Sequence, residues 1–303
     1  MRLFKKNPKI SFLSYYKYAF GLSVVFIVSG IISIFVKGLE TSIDFTGGTI
    51  VNVETNQENI DLSQLRIDAE NMFNKTVNIV LSESNGPAKN LIFTMDFLED
   101  EKILDTYLQN SFKENYQIVQ VESIGPKLGD ELKVNARNAI LASLLLIGLY
   151  ITIRFDRFYA LGSLAALLHD VLIILSIFSI FNLEVSVAII AAFLTIVGYS
   201  LNDTIVIYDR IRENMFKFSE RKKDAVINLS LNETLSRTII TSVTTLLVVV
   251  SLYLFGGEIL QPFALALIIG VIIGSYSSIF IASPIMLFFE EKYPIPEYKD
   301  EEE

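Results

Sequence analysis

Asp203 stands in the run VSVAIIAAFLTIVGYSLNDTIVIY, which is otherwise apolar enough to cross a bilayer, and Asn202 precedes it. A carboxylate at membrane depth costs several kcal/mol by most scales, so such a residue is retained where an ion or substrate path needs it. Thr195, Tyr199 and Asp203 are spaced by four, as are Gly198 and Asn202, and this spacing predicts one helical face turned into protein. Further on, Arg237, Thr241, Thr244 and Thr245 form a stripe at the start of another apolar run. Two readings of Arg237 stand side by side: its long stem lets the guanidinium snorkel to the membrane surface, or it reaches Asp203 and lowers the cost of both charges.

A second ionisable pair, His169-Asp170, lies near the middle of its own apolar run. It admits a functional reading and a packing reading, since an intramembrane Asp or His can bond a neighbouring hydroxyl or carbonyl and hold two helices together. His169 is the only histidine and there are no cysteines, so neither a metal site nor a disulfide is expected. Ala266, Gly270, Gly274, Ser278 and Ala282 recur every four residues, a stripe that predicts close helix packing. Neither a phosphate-cradling G-x-x-x-x-G-K-[ST] loop nor a G-x-S-x-G elbow is present. No enzymatic activity and no cofactor are expected.

The elements that carry these residues are membrane spans. A composition of 51% hydrophobic residues with a mean hydropathy of +0.47 exceeds what a soluble domain tolerates. Six runs have the length of a spanning helix: 19–36, 138–153, 158–181, 185–208, 237–255 and 262–289. Arg2, Lys5, Lys6, Lys9 and Lys17 make a basic leader over 1–18, and the run after it is too long for a cleaved signal, so it reads as an uncleaved anchor. Arg154 and Arg157, and the basic residues between Arg210 and Lys223, flank spans on the same side as that leader. The opposite short connections, 182–184 and 256–261, carry no lysine or arginine. By the positive-inside rule both termini are cytoplasmic, as are a loop at 209–236 and an acidic tail at 290–303.

Residues 37–136, between the first span and the five-helix bundle of 137–289, are long enough to fold by themselves outside the membrane. Alternation of β-branched residues predicts strands at 49–54, 77–82, 91–95 and 118–123, and helical spacing predicts helices at 62–73 and 99–115. Asn85-Gly86-Pro87 supplies the turn between the second and third strands. A βαββαβ order of this size is the ferredoxin-like α+β motif, which hosts many activities and names none.

Five segments resemble the SecF branch of the SecD/SecF family: SIDFTGGT at 42–49, ESIGPKLGDEL at 122–132, RFDRFYALGSLAALLHD at 154–170, VGYSLNDTIVIYDRIREN at 197–214 and NETLSRTIITSVTT at 232–245. The resemblance implies a six-helix half of a twelve-helix unit of the RND superfamily, placed in the bacterial inner membrane with its large domain periplasmic. It implies SecD as heterodimer partner, contact with the SecYEG channel, a translocating preprotein and membrane lipids, and no nucleic acid. It further implies that the chain promotes export at the expense of the proton-motive force, with H⁺ as coupling ion. Asp203 and Arg237 match the family's proton-pathway pair; Asn202, Thr241, Thr245, His169 and Asp170 are read, from their own positions in the apolar runs, as supporting polar residues. Asp44, Gly47 and Gly48 match a motif of structural character, since glycine reaches backbone conformations closed to other residues.

A physical mechanism is compatible with this. Desolvation favours the neutral acid at Asp203 while a guanidinium favours the carboxylate, and Arg237 stays charged throughout. One charge crossing about 100 mV supplies roughly 2.3 kcal/mol, which shifts a two-state equilibrium about fifty-fold. Two other classes share the helical architecture: half of a small-molecule or lipid exporter, and a non-conducting scaffold.

Overall fold

The computed structural model describes residues 8–57, 60–82, 88–98, 101–113 and 115–293. The expected turn at Asn85-Gly86-Pro87, the residues Arg2, Lys5 and Lys6, and the tail from 294 lie outside them. Two compact units result, Thr41–Arg137 and the remainder.

The first unit contains a short helix α2 (Ile43–Thr46), then β1 (Gly48–Thr55), α3 (Leu62–Phe73), β2 (Val77–Ser82), β3 (Lys89–Met95), α4 (Glu101–Phe112) and β4 (Tyr116–Ile124). The strands form one sheet in the order β2-β3-β1-β4, antiparallel at each junction. This is the ferredoxin-like arrangement expected from the sequence. Strand alternation puts Val51, Val53, Leu91, Phe93 and Ile79 on one face. There they pack beneath Ala69 and Phe73 of α3 and Leu104, Tyr107, Leu108 and Phe112 of α4. Tyr107 donates its hydroxyl proton to the Leu65 carbonyl at 2.8 Å, which ties the two helices together, and burial pushes that hydroxyl up to about 12. Asp61 caps α3 by accepting from the amides of Ser63 and Gln64. At the other end Asn74 takes a left-handed conformation and stops the helix.

The second unit is the membrane bundle. The chain is a multi-pass membrane protein, and among the described residues six helical stretches are long and apolar enough to cross a bilayer. They are α1 (Phe12–Lys37), α5 (Pro126–Arg154), α6 (Arg157–Ile180), α7 (Val187–Lys217), α8 (Lys223–Phe255), and a last stretch made of α9 (Gly257–Ser277), a π-helical turn (Ser278–Ala282) and α10 (Ser283–Lys292). The π turn ends two residues before Pro284, which has no N–H to give and whose ring crowds the preceding turn.

Helix boundaries depart from the expected spans at the charged ends. α1 starts at Phe12 and α5 at Pro126, before the apolar runs begin. The stretch expected as a loop at 209–236 is helical except at 218–222. Counting apolar residues finds where hydrocarbon ends, whereas a helix continues as long as polar partners hold it. Here Arg210 pairs with Glu233 at 2.6 Å and with Glu213, Asn214 donates to Glu233 at 2.8 Å and to Ser230 at 3.0 Å, and Arg154 pairs with Asp209 at 2.9 Å. Beneath these contacts Phe12, Phe158, Tyr208, Ile227, Leu231 and Met286 make an apolar core shared by α1, α6, α7, α8 and α10.

Small residues set the approach of the helices. A methyl group on Gly270 of α9 would stand 2.9 Å from Ile196 Cγ2 of α7, and closer to two other atoms of that side chain. One on Gly274 would stand 3.0 Å from Ser200 Cβ, and Ser278 is fully buried with its hydroxyl 2.8 Å from Thr204.

Candidate functional site

Asp203 is carried on α7 and is 3% exposed. Its carboxylate faces two hydroxyls, Thr241 of α8 and Ser275 of α9, each donating across a long 3.5 Å. Ser275 lies 2.6 Å from Ser242 of α8, and Tyr199, one turn before Asp203, donates to Ser242 at 3.4 Å. A short hydroxyl cluster therefore surrounds one side of the acid. Contacts of this length leave the carboxylate weakly satisfied, since hydrogen-bond strength falls steeply beyond ordinary distance. A weakly held acid can take and release a proton without dismantling its surroundings.

Of the two readings of Arg237, the direct ion pair with Asp203 is not seen: no such pair joins them within 4.0 Å among the described residues, and Arg237 is exposed. Thr241, one turn after Arg237, reaches the acid in its place. The expected common face on α7 also divides. Tyr199 and Asp203 turn towards α8 and α9, whereas Thr195 and Asn202 are exposed and a methyl group on Gly198 would meet nothing within 4 Å. The reason is angular: Gly198 and Asn202 sit about 100° before Tyr199 and Asp203 around the helix, far enough to leave the interface. Thr245 is half-buried on α8.

The second carboxylate is held quite differently. Asp170 on α6 is 0% exposed and accepts from Ser200 of α7 at 2.7 Å and from Ser277 of α9 at 2.9 Å, both on Oδ2. Its Oδ1 lies 3.0 Å from His169 Nδ1, and His169 Nε2 lies 2.9 Å from Ser23 Oγ of α1. Ser23 is 3.0 Å from the Tyr276 hydroxyl of α9, which donates to the Ala19 carbonyl at 2.7 Å. Four helices thus meet on one pair. Ser275 and Ser277 stand two apart, so α9 supplies a hydroxyl to each acid, while α7 carries Asp203 and supplies Ser200 to Asp170. Among the described residues no group of three or more His, Asp or Glu side chains is arranged to hold a metal ion.

Ser23, Ser200, Ser242, Ser275, Ser277 and Tyr276 were not singled out from the sequence. A lone serine in an apolar helix most often bonds its own preceding turn, and no spacing rule separates such a residue from one that reaches across. Asn228 and Asn232 of α8 were missed likewise. Asn232 accepts from the Ile10 amide at 2.9 Å and donates to the Ile10 carbonyl at 2.8 Å, and Asn228 accepts from the Leu13 amide at 3.0 Å. Together they dock the start of α1 on α8.

In the first unit, Ser42 caps α2 by accepting from the Asp44 amide at 3.2 Å. Gly47 closes that helix at φ +74°, a left-handed value that disfavours a side chain. A methyl group there would stand 2.9 Å from Pro126 Cα, and one on Gly48 would stand 2.9 Å from the Met95 carbonyl. Asp44, Gly47 and Gly48 therefore lie in a tight corner where α2, β1 and the first turn of α5 converge.

Comparison with known families matches residues 103–292 to the SecD/SecF C-terminal region of protein export membrane proteins, and residues 32–58 to the SecD/SecF GG motif. The chain is 42% identical over 302 residues to the protein translocase subunit SecF of Rhodothermus marinus, covering 95% of each. It is 41% identical over 292 residues to that of Calditerrivibrio nitroreducens, covering 93% of this chain and 95% of the other. Among solved structures, SecDF of Thermus thermophilus, described as a translocon-associated membrane protein, superposes with a TM-score of 0.84 at 35% identity over 95% of this chain. SecDF in a super-membrane-facing form gives 0.71 at 34% identity over 96%. The chain spans 40% of the length of either SecDF chain.

Proposed function

The chain belongs to the SecD/SecF family of protein export membrane proteins, and from that premise we propose that it is the SecF subunit of a Sec export machinery, driven by protons. It works with SecD beside the SecYEG channel and promotes the passage of preproteins, with no catalytic step of its own. Asp203 is the proton acceptor. The observation that carries this reading is the contrast between a nearly buried Asp203, held by two 3.5 Å hydroxyl contacts, and an Arg237 that stands exposed on the neighbouring helix.

Asn202 and Arg237 both lie well inside their helices and are exposed in the chain by itself. Hydrocarbon penalises such exposure by several kcal/mol. A partner with polar groups on its own spans removes the penalty, and this supports SecD as the second half of the unit. The extensive exposed apolar surface of α5 and α8, including Leu145, Leu146, Leu247 and Val248, is the kind that lipid or a second bundle covers. Basic residues at one end of the spans support cytoplasmic termini and a periplasmic outer unit. In this scheme protonation of Asp203 removes the negative charge facing the Thr241 and Ser275 hydroxyls, and the bundle switches between two packings that move the outer unit.

Gentle detergent extraction followed by identification of co-purifying chains tests the assembly. Recovery with SecD is expected. Recovery as a monomer that sustains full gradient-driven transport, when reconstituted with the channel alone, overturns the scheme.

A further inference from the structure

The contacts running from Asp170 to Ala19 number four: Asp170 Oδ1 to His169 Nδ1 (3.0 Å), His169 Nε2 to Ser23 Oγ (2.9 Å), Ser23 Oγ to the Tyr276 hydroxyl (3.0 Å) and that hydroxyl to the Ala19 carbonyl (2.7 Å). Each needs one proton between its heavy atoms, because two lone pairs at hydrogen-bond distance repel. The carbonyl brings none, so the last contact takes the one tyrosine proton. The contact before it must then take the one serine proton. Ser23 has nothing left for His169, so Nε2 must carry its own proton and donate it. The first contact still lacks one.

From this count we propose that His169 and Asp170 form a proton-holding pair, carrying two protons between them: one fixed on Nε2, and one between Nδ1 and Oδ1. The second proton makes the pair imidazolium with carboxylate, or neutral imidazole with carboxylic acid, and the net charge is zero in both. Ser200 and Ser277 donate to the other carboxyl oxygen and fit either form. The neutral pair also resolves how a fully buried acid persists in an apolar bundle, where a net charge is penalised. Among the described residues the ionisable groups in contact with the pair are its own two members and Tyr276, whose ring stacks on the imidazole at 5.8 Å; α1 and α7 contribute the hydroxyls of Ser23 and Ser200. His169, Ser23 and Tyr276 also form part of the wall of a cavity of about 240 Å³ whose other lining side chains are apolar. Removal of the second proton leaves the His169–Asp170 contact, within α6, with facing lone pairs.

This site is distinct from Asp203, and the inference rests on hydrogen-bond geometry alone, whether or not a proton gradient drives the chain. His169 is the only histidine, so ¹⁵N-histidine labelling of the full chain in lipid bilayers gives one ring to observe. Solid-state NMR at neutral pH is expected to show Nε2 protonated. Nδ1 is then protonated as well, or, if it is bare, infrared spectra show a carboxylic acid band that Asp170→Asn removes. A bare Nε2 overturns the proposal, as does a neutral ring with no such band. In Asp170→Asn the amide can donate to Nδ1 while its oxygen still accepts from both serines, so the bundle is expected to fold with the ring neutral and Nε2 protonated. A doubly protonated ring in that variant also overturns the proposal, since its counterion is gone.

Discussion

Gly30→Ala and Gly21→Ala place the same methyl group on α1 nine residues apart, which is about 180° around the helix. At Gly30 the new carbon would stand 2.5 Å from Ser176 Cα of α6 and closer still to the atoms of that side chain. Carbon atoms need about 3.5–4.0 Å, and the nearest constraint is backbone, so α1 and α6 must part by roughly 1 Å. The Ser23–His169 contact of 2.9 Å and the Ser179–Ser33 contact of 3.0 Å join these two helices, and neither survives that displacement. Overpacking costs about 1–3 kcal/mol, and each interhelical bond adds about 0.6 kcal/mol, so a loss of about 2–4 kcal/mol is expected. At Gly21 nothing lies within 4 Å of the new carbon, and replacing a mid-helix glycine there gains about 0.5–1 kcal/mol. Unfolding in mixed micelles as the dodecyl sulfate fraction rises, followed by circular dichroism, separates the two variants. Ser176→Gly removes the side chain but not Cα and is expected to rescue Gly30→Ala only in part. Equal midpoints for Gly30→Ala and Gly21→Ala would refute the packing of α1 on α6.

Residues 41–137 expressed alone are expected to give an α+β circular dichroism spectrum and a cooperative melt, and Leu108→Ala, at a fully buried position, to cost that fragment about 2–5 kcal/mol; a random-coil spectrum without aggregation counts against an autonomous unit. Gly47→Ala in the same fragment forces a side chain into φ +74° against Pro126 and is expected to cost at least about 1–3 kcal/mol, read as a lowered melting midpoint. Asn232→Ala removes both bonds to Ile10, so the chain just before α1 is expected to be cleaved several-fold faster in limited proteolysis, with the bundle's melting midpoint much less affected.

The six spans, the ferredoxin-like order and the small-residue packing of α9 were legible because each rests on a periodic pattern: apolar length, alternation, or recurrence every four. Asp203 and the His169–Asp170 pair were legible because a charge in an apolar run is conspicuous. Their partners were not, since Ser23, Ser200 and Ser277 differ from any other helical serine only in what lies opposite. The ends of α7 and α8 escaped for a related reason, as Arg210 and Glu233 become neighbours through folding and stand 23 residues apart in the chain. The choice between an Arg237 that snorkels and one that reaches Asp203 turned on side-chain reach across two helices, which spacing along either helix does not encode.

Proton coupling through Asp203 is tested most directly by Asp203→Asn, which keeps the size of the side chain and one of its two acceptor oxygens, its amide NH2 donating to the other hydroxyl, while removing the group that titrates. Preprotein export is followed in inverted membrane vesicles with and without an imposed proton gradient, at matched levels of the chain and of SecD. The account predicts that the variant assembles normally and exports at the gradient-free rate under both conditions. Gradient stimulation equal to that of the unaltered chain would contradict it.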